Sequence, residues 1–257
     1  TGVQTCALPI FFSFLSIFLF HTSGSFKHGY LGVDFFFVLS SFLLTYLMLQ
    51  ERDRTGGFSK RNFFVRRALR IFPLYYLIIL FSFLLLPTLS SYFGYPASLP
   101  ENKILYWFFL SNYDSSDCVF YLKFLWSIAV EEQFYLLFLI CSLLILKNVF
   151  FVAGVLLIIY FLFMFYAEKN KISTYSHLFT HFPNFSAGMI TAFIFYRKKC
   201  NLKYVIGLFP LCLTAIILNR HDFIFNLLLS ILFAITILII IHASVFVKKS
   251  RSEEHTS

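Results

Sequence analysis

Eight apolar stretches punctuate this chain, at about residues 11–20, 30–49, 68–88, 124–146, 149–166, 182–196, 203–219 and 222–247. Most match what a helix needs to cross a bilayer, because about 30 Å of hydrocarbon takes about 20 residues at 1.5 Å each. Backbone groups in hydrocarbon must find partners within their own segment, so spans of this kind are helices. Hydrophobic residues make up 59% of the 257 and charged residues 13%, where a water-soluble domain is nearer half and a quarter. Mean hydropathy is +0.80. The expected fold is therefore all-α: a polytopic transmembrane helix bundle of about eight spans, with the lipid bilayer as its first partner.

Charge supplies the orientation. The loop ERDRTGGFSKRNFFVRR at 51–67 is dense in Lys and Arg, which places it in the cytoplasm. Alternation then puts Lys147, the Arg197–Lys198–Lys199 run and Lys248–Lys249 on the same side. The loops near 21–29, 89–123, 167–181 and 220–222 fall outside. The isoelectric point near 9.3 thus reflects orientation, and a nucleic-acid partner is not expected. KILYWFFLSN at 103–112 is too short to span and reads as an interfacial or re-entrant piece.

Five cysteines give no disulfide framework and no CxxC or Cys/His spacing for a metal. Both ends read as foreign. TGVQTCALPI at 1–10 and RSEEHTS at 251–257 match translated short-read sequencing adapters, so each is expected to be a non-native segment. Residues 11–250 then form one integral-membrane domain, truncated at both ends.

Ionised groups within the apolar stretches are expensive, roughly 2.5–3.5 kcal/mol each on insertion scales, and usually serve transport or chemistry. Glu131 and Glu132 lie inside LWSIAVEEQFYLLF, Asp34 lies about one turn into GYLGVDFFFVLSSF, and His21 closes FLFH. His21, Asp34 and Glu131 are expected at one membrane level on the outer side. On an ideal helix Ser127, Glu131 and Tyr135 share one face, and Tyr30, Asp34 and Ser41 share another. A histidine with a carboxylate is the usual equipment for activating a hydroxyl. The plainer alternative is a loop histidine with acids that join helices. On the inner side, Arg67 and Arg70 stand at i and i+3 at the start of the third span, with Arg66 beside them. Guanidinium groups bind phosphate in bidentate fashion, so the pair suits an anion, although arginine at a cytoplasmic helix end is also ordinary orientation signal.

FLFH ending at His21, GYLGVDFFFVLSSFLL at 29–44, FFVRRALRIFPLYY at 63–76 and LWSIAVEEQFYLLF at 125–138 together resemble the acyltransferase-3 family of bacterial membrane acyltransferases, the O-antigen acetylase type. HFPNFSAGMITA at 181–192 is a weaker fifth match. The resemblance implies an enzyme of the bacterial cytoplasmic (inner) membrane, crossing it many times. Such an enzyme transfers an acyl group, usually acetyl from acyl-CoA, to a hydroxyl on an envelope glycan or similar acceptor. It implies His21 and Glu131 as catalytic and Arg67 and Arg70 as binding acyl-CoA. Asp34 joins the catalytic candidates from its place in the second span, as an acid that, like Glu131, is placed to orient His21, and no metal is expected. Departures are visible too. The family arginine eleven residues before the histidine falls at Ile10, Ser41 stands where glycine is usual, and Leu139 where proline often follows. A late SYxLYLxH-type span is not found. Two other readings stand beside this one: a membrane carrier or flippase coupled through intramembrane carboxylates, and an inactive truncated gene product.

Overall fold

The computed structural model describes residues 7–23, 28–94, 98–197, 207–210, 212–214 and 222–254. Most of the span expected at 203–219 lies outside the described residues, as do Cys6, Cys200 and Lys198–Lys199. The described chain is helical: α1 Ala7–Ser23, α2 Leu31–Thr55, α3 Lys60–Leu80, α4 Leu86–Phe93, α5 Lys103–Trp107, α6 Phe120–Lys123, α7 Leu125–Lys147, α8 Val149–Asn170, α9 Phe182–Tyr196 and α10 Asp222–Glu254.

Five helical stretches among the described residues are long and apolar enough to cross a membrane: Leu31–Thr55, Lys60–Phe93, Leu125–Lys147, Val149–Asn170 and Ile224–His242. This is an all-α membrane helix bundle, with two of the expected spans shorter than a crossing. The apolar part of α1 runs only over Pro9–Thr22, and α9 has 15 residues. The third span instead exceeds its expected length. Helix α3 passes through Pro73, continues as a π turn at Phe81–Leu85 and enters α4, so 34 residues form one run. At 1.5 Å per residue that is about 50 Å, well over the bilayer core, so the run must tilt or project beyond it. Ser82 Oγ donates to Ile78 O (2.6 Å) at the π turn. Gly94, at φ 72°, ends the run in the left-handed conformation that glycine adopts without a Cβ penalty.

The chain divides into two compact units. The first comprises 1–54, 143–172 and 179–257, so it holds α1, α2, α8, α9 and α10. Its centre is α9, buried nearly all round, as a helix apolar on every face should be. Val38, Leu39 and Phe42 of α2 pack there with Ala192 of α9 and with Ile237 and Ile241 of α10. Ser186 Oγ donates across to Ala153 O of α8 (3.2 Å). Helix α1 meets α2 through Ser13, whose Oγ donates to Gly32 O (2.6 Å). A Cβ on Gly32 would stand 2.8 Å from Ser13 O, so this close approach needs glycine.

The second unit comprises 55–142 and 173–178. Its core gathers Tyr75 and Ile79 of α3, Tyr106 and Phe109 of the 103–113 segment, and Leu125 and Ala129 of α7. That segment forms α5 and then a tight turn at Ser111–Tyr113 rather than a span. The Tyr75 and Tyr76 hydroxyls donate to Tyr106 O (2.8 Å) and Trp107 O (3.2 Å). Many apolar side chains of α3 stay exposed, Leu69, Leu74 and Leu77 among them, as expected of a face turned toward lipid tails.

Candidate functional site

In the first unit the central feature is Asp34, the fourth residue of α2. Its Oδ1 accepts two hydrogen bonds, from His181 Nδ1 (3.0 Å) and Asn184 Nδ2 (2.8 Å). A carboxylate accepts, so His181 donates through a proton on Nδ1. His181 caps α9, and Pro183 in the first turn has no amide to lose there. Asn184 is held in turn: its Oδ1 lies 2.6 Å from Ser230 Oγ of α10, whose one hydroxyl proton is shared between it and Asn226 O (2.7 Å). The Phe37 and His181 rings meet edge to face with centroids 4.9 Å apart. All four polar residues are buried. Burial of such groups is costly unless they are paired, and here each has a partner.

His21 occupies the last turn of α1 and is exposed. Its ring packs on Phe20 (4.8 Å), which packs on Tyr30 (6.0 Å), just before α2. The hydrogen bonds of Asp34 go to His181 and Asn184 rather than to His21.

In the second unit Glu131 is buried on α7, and its Oε1 accepts the Tyr135 hydroxyl one turn on. The shared face expected for Glu131 and Tyr135 is therefore real. The Arg67 guanidinium of α3 lies over the Tyr135 ring (5.2 Å) and near the Phe63 ring (6.0 Å), a cation–π arrangement. Tyr135 thus links the expected acid to one expected arginine. Arg70 is exposed, whereas Arg67 is half-buried. Glu132, the neighbouring acid, has a buried Oε1 without a hydrogen-bond partner among the described residues. Gln133 Nε2 donates to Phe109 O (2.8 Å) and Asn112 Oδ1 (2.7 Å), tying the 103–113 segment to α7. Phe109 sits at φ 55°, a strained conformation for a bulky residue.

His181, Asn184 and Ser230 were not among the residues singled out by sequence. The trace of His181 and Asn184 is HFPNFSAG, where two polar residues three apart open a mostly apolar helix. Residues at i and i+3 share a helix face, so both could turn to one acid.

The fold and these side chains define a polytopic helical membrane protein whose apolar helices bury carboxylates with chosen partners. Comparison with known proteins points to O-acetyltransferases. The chain is 32% identical over 147 residues to the peptidoglycan O-acetyltransferase OatA of Listeria monocytogenes, covering 52% of this chain and 23% of that protein. It is 33% identical over 135 residues to the O-acetyltransferase OatA of Staphylococcus aureus, covering 49% and 22%. A provisionally named O-acetyltransferase of Staphylococcus aureus, SACOL0978, is 28% identical over 270 aligned positions, covering 91% of this chain and 44% of the relative. The chain thus spans less than half the length of each of these relatives. No family model and no solved structure matches it.

Proposed function

We propose that this chain carries out membrane O-acyl transfer, moving an acetyl or similar acyl group from acyl-CoA to a hydroxyl of a bacterial cell-envelope glycan. The observation that carries the reading is the similarity to O-acetyltransferases, which in one relative extends over 91% of the chain. The name of another relative, a peptidoglycan O-acetyltransferase, supports a glycan acceptor. The reading also accounts for ionisable groups kept in apolar helices at a cost that lipid packing alone would remove.

Arg67 and Arg70 are assigned to the donor. Their guanidinium groups match phosphate geometry, and the exposure of Arg70 leaves its donors open to an incoming anion. His21 is assigned the base toward the acceptor, with Asp34 or Glu131 as the carboxylate that orients it. In the overall step the hydroxyl oxygen bonds to the acyl carbon and the carbon–sulfur bond of the thioester breaks. The hydroxyl proton passes to the base and finally to the coenzyme A thiolate. The cytoplasmic membrane is the location that fits such a donor.

The chain reconstituted in lipid vesicles, supplied with radiolabelled acetyl-CoA and a soluble glycan, tests the assignments. His21→Ala and Arg70→Ala are expected to lower transfer by about a hundredfold or more at equal protein level. Unchanged transfer in either variant removes that residue from the scheme. Movement of glycan across the vesicle wall without label on it would favour a carrier instead.

A further inference from the structure

We infer that His181 and Asn184 are positioning residues for Asp34: they anchor Oδ1 of its carboxylate and leave Oδ2 as the oxygen that works. The inference rests on the transferase reading above, and it adds residues that reading does not contain. Three observations carry it. First, both donors converge on the same oxygen, at 3.0 Å from His181 Nδ1 and 2.8 Å from Asn184 Nδ2. Second, Oδ2 takes no hydrogen bond among the described residues, and the Asp34 side chain keeps 12% of its surface exposed where that of His181 keeps 2%. Third, the donors are themselves held, Asn184 by the Ser230 hydroxyl (2.6 Å) and the His181 ring by Phe37.

A carboxylate that only joined helices would use both oxygens and be closed off, because each unpaired oxygen costs stability. Here one oxygen is taken by two donors at the start of α9 and the other is kept back. A carboxylate clamped by one oxygen cannot rotate about its terminal bond, so the second oxygen points in a single direction. That is what a group needs in order to hold a substrate hydroxyl or an imidazolium in a reactive pose. Supporting hydrogen bonds of this kind commonly change activity 10–100-fold when removed, as around metal ligands.

The test uses the whole chain in lipid nanodiscs, with acetyl-CoA as donor and the soluble glycan chitotetraose as acceptor. Asn184→Leu and His181→Phe each remove one donor and keep a similar volume, while His181→Gln restores an amide N–H. The expected result is a fall in kcat of about 10-fold or more in N184L and H181F, KM within about twofold of wild type, and substantial recovery in H181Q. Thermal unfolding of each variant corrects for folded protein. If kcat per folded molecule is unchanged in both N184L and H181F, the residues only join helices and the inference is overturned.

Nitrogen-15 histidine NMR on the same samples reads the contact itself, with the His181 signal assigned by its loss in H181Q. A proton on Nδ1 in the wild type that redistributes in Asp34→Asn supports the clamp, and a His181 spectrum indifferent to D34N overturns it. If no chain transfers acetyl, the transferase reading falls, and the NMR result alone decides the clamp.

Discussion

Gly188 of α9 lies so close to Ser41 of α2 that a Cβ on the glycine would stand 1.9 Å from Ser41 Oγ and 2.2 Å from Val38 O. Two small residues facing each other let two buried helices approach backbone to backbone, which lipid-embedded helices favour because apolar side chains gain nothing by leaving lipid. The Ser41 hydroxyl has turned back to its own helix, donating to Val38 O (3.0 Å).

Gly188→Ala is therefore expected to be severe, beyond the roughly 1–3 kcal/mol typical of overpacking, because the obstacle includes a backbone carbonyl that cannot rotate away. Adding Ser41→Gly removes the hydroxyl and leaves the carbonyl, so the double variant should recover little. Yield of monodisperse protein in detergent and its unfolding midpoint read both effects. A wild-type midpoint in G188A would show that the helices are farther apart than described.

Tyr135 joins Glu131 to Arg67 within one unit. Tyr135→Phe keeps the ring under the guanidinium and removes the hydroxyl, leaving a buried carboxylate short of a partner, at a cost of about 1–3 kcal/mol. Arg67→Ala removes the cation–π contact, worth about 0.5–2 kcal/mol. The losses should be close to additive, because Phe retains the face that Arg67 uses. A double-mutant cycle on unfolding in mixed micelles measures this; strong coupling would mean that Arg67 acts on the hydroxyl or the acid instead.

Gln133 holds the 103–113 turn to α7 by two hydrogen bonds. Gln133→Leu should cost about 2–3 kcal/mol, since Phe109 O and Asn112 Oδ1 lose their donor where water is scarce. Phe109→Gly should also destabilise. Relief of a left-handed Phe returns about 1–2 kcal/mol, whereas the lost ring, stacked on Tyr75 at 4.2 Å, costs about 3–5 kcal/mol. Greater stability in F109G would show that backbone strain outweighs the packing.

Stability should also fall with acid through His177, which lies between the spans and packs on Tyr113 (5.3 Å). Burial holds its imidazole below the ordinary value of 6.5. The unfolded chain takes up that proton first, so stability is present above 6.5, declines as pH falls through it, and declines no further below the folded value. His177→Phe keeps a ring against Tyr113 and should flatten that part of the pH dependence relative to wild type. Unfolding midpoints at matched pH for the two proteins check it; parallel curves would assign the slope to other groups.

Length and apolarity made the helical class and most of the long helices legible in sequence, because the hydrocarbon constraint leaves the backbone few alternatives. The Glu131–Tyr135 face was legible for the same reason: both residues sit on one helix, four apart. Asp34 was legible as an unusual acid, but its partner was not. His181 lies 147 positions away, and helical periodicity carries no information about which helices become neighbours. The length of the α3 run was missed because Lys60, Arg61, Arg66 and Arg67 make its start read as part of the charged loop, although a helix can project past the hydrocarbon core. The short, largely buried α9 read as a span because an apolar helix looks alike whether lipid or protein surrounds it.

The most direct test of the account follows the acyl group itself. Vesicles holding this chain are given acetyl-CoA labelled in the acetyl carbon, and the glycan is then isolated and treated with mild alkali. Base-labile label on the glycan, dependent on the chain and lowered in D34N and H21A, is the predicted result. Label that remains on acetyl-CoA while the chain is folded and inserted would contradict the assignment of O-acyl transfer to these residues.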